Sequence, residues 1–324
     1  MRQISEDIKQ NRFRQIYLLY GEERYLRRQY KEKLRNALCA DDTMNTHFYE
    51  GKDVPVDEII DLAETLPFLA ERRVIFVTNS GLFKSGGEKL AEYLHAPNET
   101  TFFVFNENEV DKRSKLYKTV SSKGYAADFG IQDENTLKRW IAGVLSKEGK
   151  KITENTVKLL ISKTGTEMDN IQMELEKLIC YAYDRDVITD QDVETICTTK
   201  ISNHIFDMIN AIAEKRRNDA LKLYYDLLAL KEPPMRILFL IAEQCNKLLQ
   251  VKELKKKNAD NRTIGAQIGV PPFIAQKYVN QASRFSTSVL RKAVQQCVAA
   301  EEAVKSGRMN DTMSVEILIL SVLN

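Results

Sequence analysis

Apolar runs long enough for buried strands stop at about Gly130 of this 324-residue chain, and the remaining residues read as helix. Before that point, Ile16–Tyr20 (IYLLY), residues 74–78 (VIFVT) and residues 101–105 (TFFVF) are continuous apolar runs of strand length, with weaker candidates at 46–49 and 126–129. Helix-spaced apolar residues fall between them: in 22–38, after Asp53 and Pro55 (Val56, Ile59, Ile60, Ala63, Leu66), in 88–94 and in 114–122. Strands that alternate with helices predict an α/β domain over residues 1–130, its sheet mainly parallel and covered on both faces. Beyond it, segments 134–145 (with Trp140, the sole tryptophan), 153–163 and 168–183 predict a small helical domain over 131–200. Thr189 is the expected N-cap of a further helix there. Residues 201–324 predict a second all-helical domain, broken at 231–234, 255–262, 269–272 and 305–311.

The first strand, turn and helix have the layout of a nucleotide-binding unit without its residues. A working phosphate loop reads G-x-x-x-x-G-K-[ST], the glycines bringing backbone N–H groups to phosphate and the lysine meeting the terminal phosphates. Here the junction is Gly21-Glu22-Glu23-Arg24-Tyr25-Leu26, with one glycine, no Gly-Lys and two carboxylates. Those carboxylates suit a helix N-terminus but repel a triphosphate. The expectation is an NTPase-like domain that neither binds nor hydrolyses nucleotide.

Forty-eight basic against 46 acidic residues give a net charge of +2, so no global field attracts nucleic acid and any such site must come from local clusters. Five scattered cysteines without a C-x-x-C pair predict buried thiols in a reducing compartment, and three distant histidines give no metal-ligand spacing. The start is charged from Arg2 onward and no apolar run is long enough to span a bilayer, so a cytoplasmic protein with no membrane partner is expected. No hydrolase or zinc-protease motif is found.

Three local features carry candidate sites. Leu66, Pro67, Phe68 and Leu69 come at the end of the apolar face of a helix, which Pro67 ends. The ordinary reading is that Phe68 and Leu69 cap the core at a helix–strand corner; the alternative is an exposed apolar tip that enters a partner's pocket. Lys112, Arg113, Lys115 and Lys118 crowd cations into eight residues, fitting either a solvated helix start or contact with DNA phosphate or an acidic neighbour. Lys255, Lys256 and Lys257 form a basic loop with the same two readings. Residues 84–87 (KSGG) read as a turn. Residues 263–282 have a helix-turn-helix look with Gly269 at the turn, which keeps a DNA-binding regulator in view. Only Gln276 and Lys277 lie near the start of the reading helix as base-reading side chains, so plain helix packing is the stronger expectation. An active ATPase is the remaining alternative, opposed by the missing Gly-Lys.

Taken in order and spacing, IYLLYGEERYL, LPFLAERRVIFV, VDKRSKLYK, MELEKLICYA with VITDQDV, the long ALKLYYDLLALKEPPMRILFLIAEQCNKLL, IGVPPFIAQK and AVKSGRMND resemble the delta subunit of the bacterial DNA polymerase III clamp loader over most of the chain. Related delta-prime and ATP-hydrolysing loader subunits usually carry cysteine-rich zinc modules, which are missing here. The resemblance implies a degenerate AAA+-like (P-loop-type) α/β domain, a helical lid and a helical collar through which ATPase subunits and delta-prime assemble into a ring of five. It implies no cofactor and no intrinsic activity, with primer-template DNA as a partner of the assembled complex. It also implies that the N-terminal domain grips the ring-shaped sliding clamp through the apolar tip, which maps onto Leu66, Pro67, Phe68 and Leu69, and helps to open it.

Overall fold

Five parallel strands in the order β2-β3-β4-β1-β5 organise the first of two compact units, Met1–Ile131. The computed structural model describes residues 2–39, 42–199 and 201–322. The elements of this unit are α1 (Arg2–Gln10), β1 (Ile16–Tyr20), α2 (Arg24–Cys39), β2 (Thr46–Glu50), α3 (Val56–Glu64), β3 (Arg73–Thr78), α4 (Glu88–Tyr93), β4 (Thr101–Glu107), α5 (Lys115–Lys123) and β5 (Tyr125–Asp128). Ile16 stands opposite Phe103 in the β1–β4 pair, and Val74 opposite Phe102 in the β3–β4 pair.

Side chains alternate across the sheet, so each central strand feeds two cores. Leu18, Ile75, Val77, Phe103 and Phe105 pack with Ile59, Leu90, Leu116 and Val120 of α3, α4 and α5. Tyr17, Leu19, Phe76, Val104 and Phe129 pack with Ile4, Leu34 and Leu38 of α1 and α2. This two-sided burial is why β1 and β3 read as unbroken apolar runs, and it meets the α/β expectation. Helix α1 was not expected from the sequence, and α2 starts at Arg24 rather than Glu22.

The second unit, Gln132–Asn324, is described by itself. Its elements are α6 (Glu134–Lys147), β6 (Lys151–Ile152), α7 (Glu154–Thr164), α8 (Met168–Tyr181), β7 (Val187–Ile188), α9 (Asp190–Ile196), α10 (Ile201–Ala213), α11 (Arg217–Ala229), α12 (Pro234–Lys256), α13 (Asn261–Ile268), α14 (Pro272–Ser283), α15 (Thr287–Lys305) and α16 (Asp311–Val322). Strands do not stop at Gly130, as the sequence suggested: β6 and β7 form a short parallel pair, too brief to leave a periodic signal. Thr189 caps α9 as expected, in a reciprocal box with Asp192. From residue 205 to 319 one continuous core runs along α12, where Ile237, Ile241, Cys245 and Leu248 meet Leu227, Leu290 and Ile319. Among the cysteines, Cys39, Cys197, Cys245 and Cys297 are buried, but Cys180 is exposed.

Candidate protein-binding tip

Helix α3 ends at Glu64, two residues before the position at which Pro67 alone would stop it. Thr65 turns to extended backbone, and its hydroxyl donates to the Leu62 carbonyl at 2.7 Å. Arg73, buried at the start of β3, finishes the cap. Its guanidinium donates to the carbonyls of Leu62 at 2.8 Å and Leu66 at 3.0 Å, and to the Thr65 hydroxyl. A cation on the free carbonyls of a helix C-terminus is favourable both as hydrogen bonding and toward the dipole. Leu66 therefore does not belong to the packed face of α3, where the spacing put it.

The next turn presents its side chains to solvent. Leu66 is 75% exposed, Phe68 61% and Leu69 93%, with Pro67 half-buried. Leu69 also holds φ +50°, a left-handed conformation that crowds Cβ against the carbonyl in any non-glycine residue. From the sheet side, the buried Asn45 carboxamide bonds both backbone groups of Phe68. The reading of Phe68 and Leu69 as a core cap is thus overturned: polar side chains fasten the backbone from behind and leave the apolar groups outside.

The turn after β1 is built to close on itself. Gly21 sits at φ +124°, and a Cβ there would lie 2.5 Å from the Phe129 carbonyl oxygen. That oxygen accepts the Glu23 amide at 2.8 Å, while the Phe129 amide donates to Tyr20 O at 2.7 Å. The Glu23 carboxylate accepts the Tyr25 amide at 3.1 Å, so a protein anion occupies the helix N-terminus. Arg27 is buried beside it, its guanidinium donating to Asn106 at 2.8 Å and to Asn108. Burial, with Arg24 nearby, lowers the Arg27 pKa, against the pull of Glu107 and Glu23. β3 ends at Thr78 and Asn79 follows it, so neither position offers a carboxylate to a magnesium ion, and Lys31 donates to the Thr78 hydroxyl at 3.2 Å. Glu107 is spent on the Ser80 amide and hydroxyl, at 2.8 and 2.5 Å. A cleft of about 590 Å³ beside it is lined by Lys52, Ser80, Lys84, Glu107 and Glu109, and residues 84–87 form the expected turn, with Lys84 paired to Glu109 at 2.5 Å.

The basic candidates lie on the surface, four of them in exposed ion pairs. Lys112 pairs with Asp128 at 3.2 Å, Arg113 with Asp111 at 3.1 Å and Lys115 with Glu92 at 2.7 Å, while Lys118 is exposed on the next turn of α5. Lys255, Lys256 and Lys257 are not a loop. They form the last turn and cap of α12, Lys256 pairing with Glu253 at 2.8 Å, where cations stabilise the helix end. In the helix-turn-helix look-alike, Gly269 is a left-handed cap and Gly265 lets the Val270 carbonyl approach to 2.6 Å of a Cβ position. Gln276 bonds Asn261 at 2.9 Å and Asn280 at 2.8 Å, and Tyr278 packs edge-on to Phe206 of α10. The second helix is used for packing. Among the described residues no cluster of His, Cys, Asp or Glu is suited to a metal, and no helix is long and apolar enough to cross a membrane.

Two family models match: the delta subunit of DNA polymerase III over residues 17–127, and the C-terminal domain of that subunit over residues 202–322. The chain belongs to the DNA polymerase III delta subunit family. It is 26% identical to the Bacillus subtilis DNA polymerase III subunit delta, over 98% of this chain and 95% of that one. It is 22% identical to a probable subunit delta of Aquifex aeolicus, over 86% and 83%. The solved structure of the Bacillus subtilis DNA clamp loader delta protein superposes with a TM-score of 0.78 at 25% identity, covering 99% of both chains. As a member of this delta family, the chain serves DNA replication as the clamp-loader delta subunit, an accessory subunit of DNA polymerase III. The first unit is a parallel-sheet α/β domain with strand order β5-β1-β4-β3-β2, and its first strand–turn–helix junction lacks the Gly-Lys of a working phosphate loop.

Proposed function

We propose that Leu66, Pro67, Phe68 and Leu69 are the element with which this delta-family subunit grips the ring-shaped sliding clamp. The observation that carries the reading is Leu69, a leucine 93% exposed and held at φ +50°. Both features cost the isolated chain stability and neither serves its own core, so the benefit belongs to a partner. A protein pocket that accepts Leu66, Phe68 and Leu69 gains roughly 1.5–3 kcal/mol for each side chain buried. A ring held shut 99:1 needs a ligand favouring the open form by about 5.5 kcal/mol to reverse that ratio. Three such side chains supply this only if most of their contact exists in the open ring alone. Equal affinity for both forms would shift nothing.

On this reading the delta chain needs no nucleotide of its own. The Glu23–Phe129 bond and the Glu23 carboxylate at the head of α2 support a subunit that does not hydrolyse ATP. Residues 131–200 act as the lid and residues 201–324 as the collar that joins the ATPase subunits and delta-prime, in a cytoplasmic complex around primer-template DNA. Lys112, Arg113, Lys115, Lys118 and Lys255–Lys257 stay accessible to DNA phosphate, because the exposed pairs of Lys112, Arg113, Lys115 and Lys256 are worth at most about 1 kcal/mol each. A competition assay tests the proposal. The double variant Phe68→Asp with Leu69→Asp should lose clamp binding while keeping its fold, and undiminished competition by that variant would refute the assignment.

A further inference from the structure

We propose that Asn45 is a positioning residue for this tip: its carboxamide fixes the backbone of Phe68 so that the ring stands ready for its partner. The inference rests on the reading of residues 66–69 as the clamp-binding element. Asn45 is 2% exposed and immediately precedes β2, an edge strand of the sheet. Its Oδ1 accepts the Phe68 N–H at 2.7 Å and its Nδ2 donates to the Phe68 carbonyl at 2.9 Å, so one side chain takes up both backbone groups of one residue. The other Nδ2 hydrogen goes to the Asp42 carboxylate at 2.8 Å. A carboxylate only accepts, so Asp42 forbids the flipped amide that would put Nδ2 against the Phe68 N–H. Asp42 is itself fixed by the amides of Met44 at 2.9 Å and Asn45 at 3.0 Å, and the Asn45 carbonyl accepts the Val74 amide at 2.8 Å. The tip is thereby tied to the β2–β3 edge through a chain of short bonds.

No burial of the Phe68 or Leu69 side chains could do this work, because both are exposed. Pro67 on one side brings no N–H, and Leu69 on the other is in a strained conformation that persists only where its surroundings over-determine it. Without the Asn45 bridge the turn would sample other conformations, and the clamp would meet the competent one only part of the time. Apparent affinity falls by that fraction.

The test is a double-mutant cycle on the full chain, with the purified sliding clamp of the same organism as the probe. Asn45→Asp keeps the shape and the acceptor for Phe68 N–H. It removes the donor to the Phe68 carbonyl and faces Asp42 with a like charge. It should weaken clamp binding about tenfold in the parent chain but less than about twofold in a Phe68→Ala background. Peptide-level hydrogen exchange across residues 66–70 should speed up in Asn45→Asp without clamp present, while the strands of the sheet keep their protection. Equal losses in both backgrounds, or unchanged exchange, would overturn the positioning role. If Asn45→Asp does not fold, Asp42→Asn, which takes the charged acceptor from Asn45 Nδ2 and so loosens the hold on the amide, must give the same pattern at reduced size or the role is lost. A Phe68→Ala chain that binds the clamp like its parent would instead bring down the tip reading itself.

Discussion

Glu23 donates its backbone N–H to the carbonyl oxygen of Phe129 at 2.8 Å, which folds the turn after β1 against the end of β5. In a working phosphate loop such an amide faces the nucleotide. Here the amide is committed, a carboxylate lies at the helix N-terminus and the guanidinium of Arg27 is bonded to Asn106 and Asn108. Calorimetric titration with Mg·ATP should therefore give no saturable heat with a Kd below about 1 mM. Micromolar binding would contradict the degenerate site.

The same turn leaves no room for a side chain at Gly21. Gly21→Ala meets the Phe129 carbonyl and a φ of +124° together, and should cost about 2–4 kcal/mol in urea unfolding. A loss under about 1 kcal/mol would mean that the turn relaxes easily.

Leu69 should trade stability for binding. Leu69→Gly relieves the left-handed strain and should stabilise the chain by about 0.5–1 kcal/mol, while removal of the side chain weakens the clamp complex by about tenfold or more. Equilibrium unfolding and clamp titration of the same preparation check both signs. A destabilised variant with full clamp affinity would show that no such trade exists.

Arg73 holds the end of α3 from inside the sheet. Arg73→Met takes the guanidinium from the Leu66 carbonyl and from the Leu62 carbonyl, which keeps the Thr65 amide and hydroxyl, and should cost about 1.5–3 kcal/mol. Arg73→Lys should recover little of that, since an ammonium lacks the planar fork that reaches three acceptors. Thermal unfolding of the two variants decides it: full recovery by lysine would show that charge alone is what matters.

Much of the fold was legible because its signals are local. β1, β3 and β4 are buried on both faces, which leaves runs such as VIFVT. β2 lies at the sheet edge with Phe48 exposed, and its pattern is correspondingly faint. α1 buries little beyond Ile4 and Asp7, and β6 and β7 have two residues each, too short for any period to register. The tip residues were legible as an anomaly but their direction was not. What turns them outward is Asn45, some twenty positions upstream, and Arg73, beyond the turn, whose pairing no sequence window reveals. Leu66 was misplaced for the same reason: Pro67 marks where a helix must stop, while Thr65 and Arg73 stop it earlier.

The capping box of α9 should give the chain a measurable acid dependence. Burial pushes the Asp192 carboxyl up, but the Thr189 amide and hydroxyl and the Arg185 guanidinium outweigh it and hold the pKa below the ordinary 3.8. A lowered carboxyl pKa means stability that is present above 3.8 and lost as pH falls through the lower folded value. Asp192→Asn should thus cost about 1 kcal/mol at neutral pH, and the gap from the parent should narrow in acid below 3.8. A gap independent of pH, read from urea unfolding at several pH values, would exclude the carboxylate as its source.

Site-specific photo-crosslinking tests the clamp-gripping role of the tip most directly. The chain with Phe68→p-benzoylphenylalanine is irradiated beside the sliding clamp, and a control carries the same photoreactive residue at Lys118. Position 68 should give a covalent adduct that maps to an apolar pocket of the clamp and is suppressed by excess unmodified chain. An adduct from position 118 with none from 68 would contradict that role.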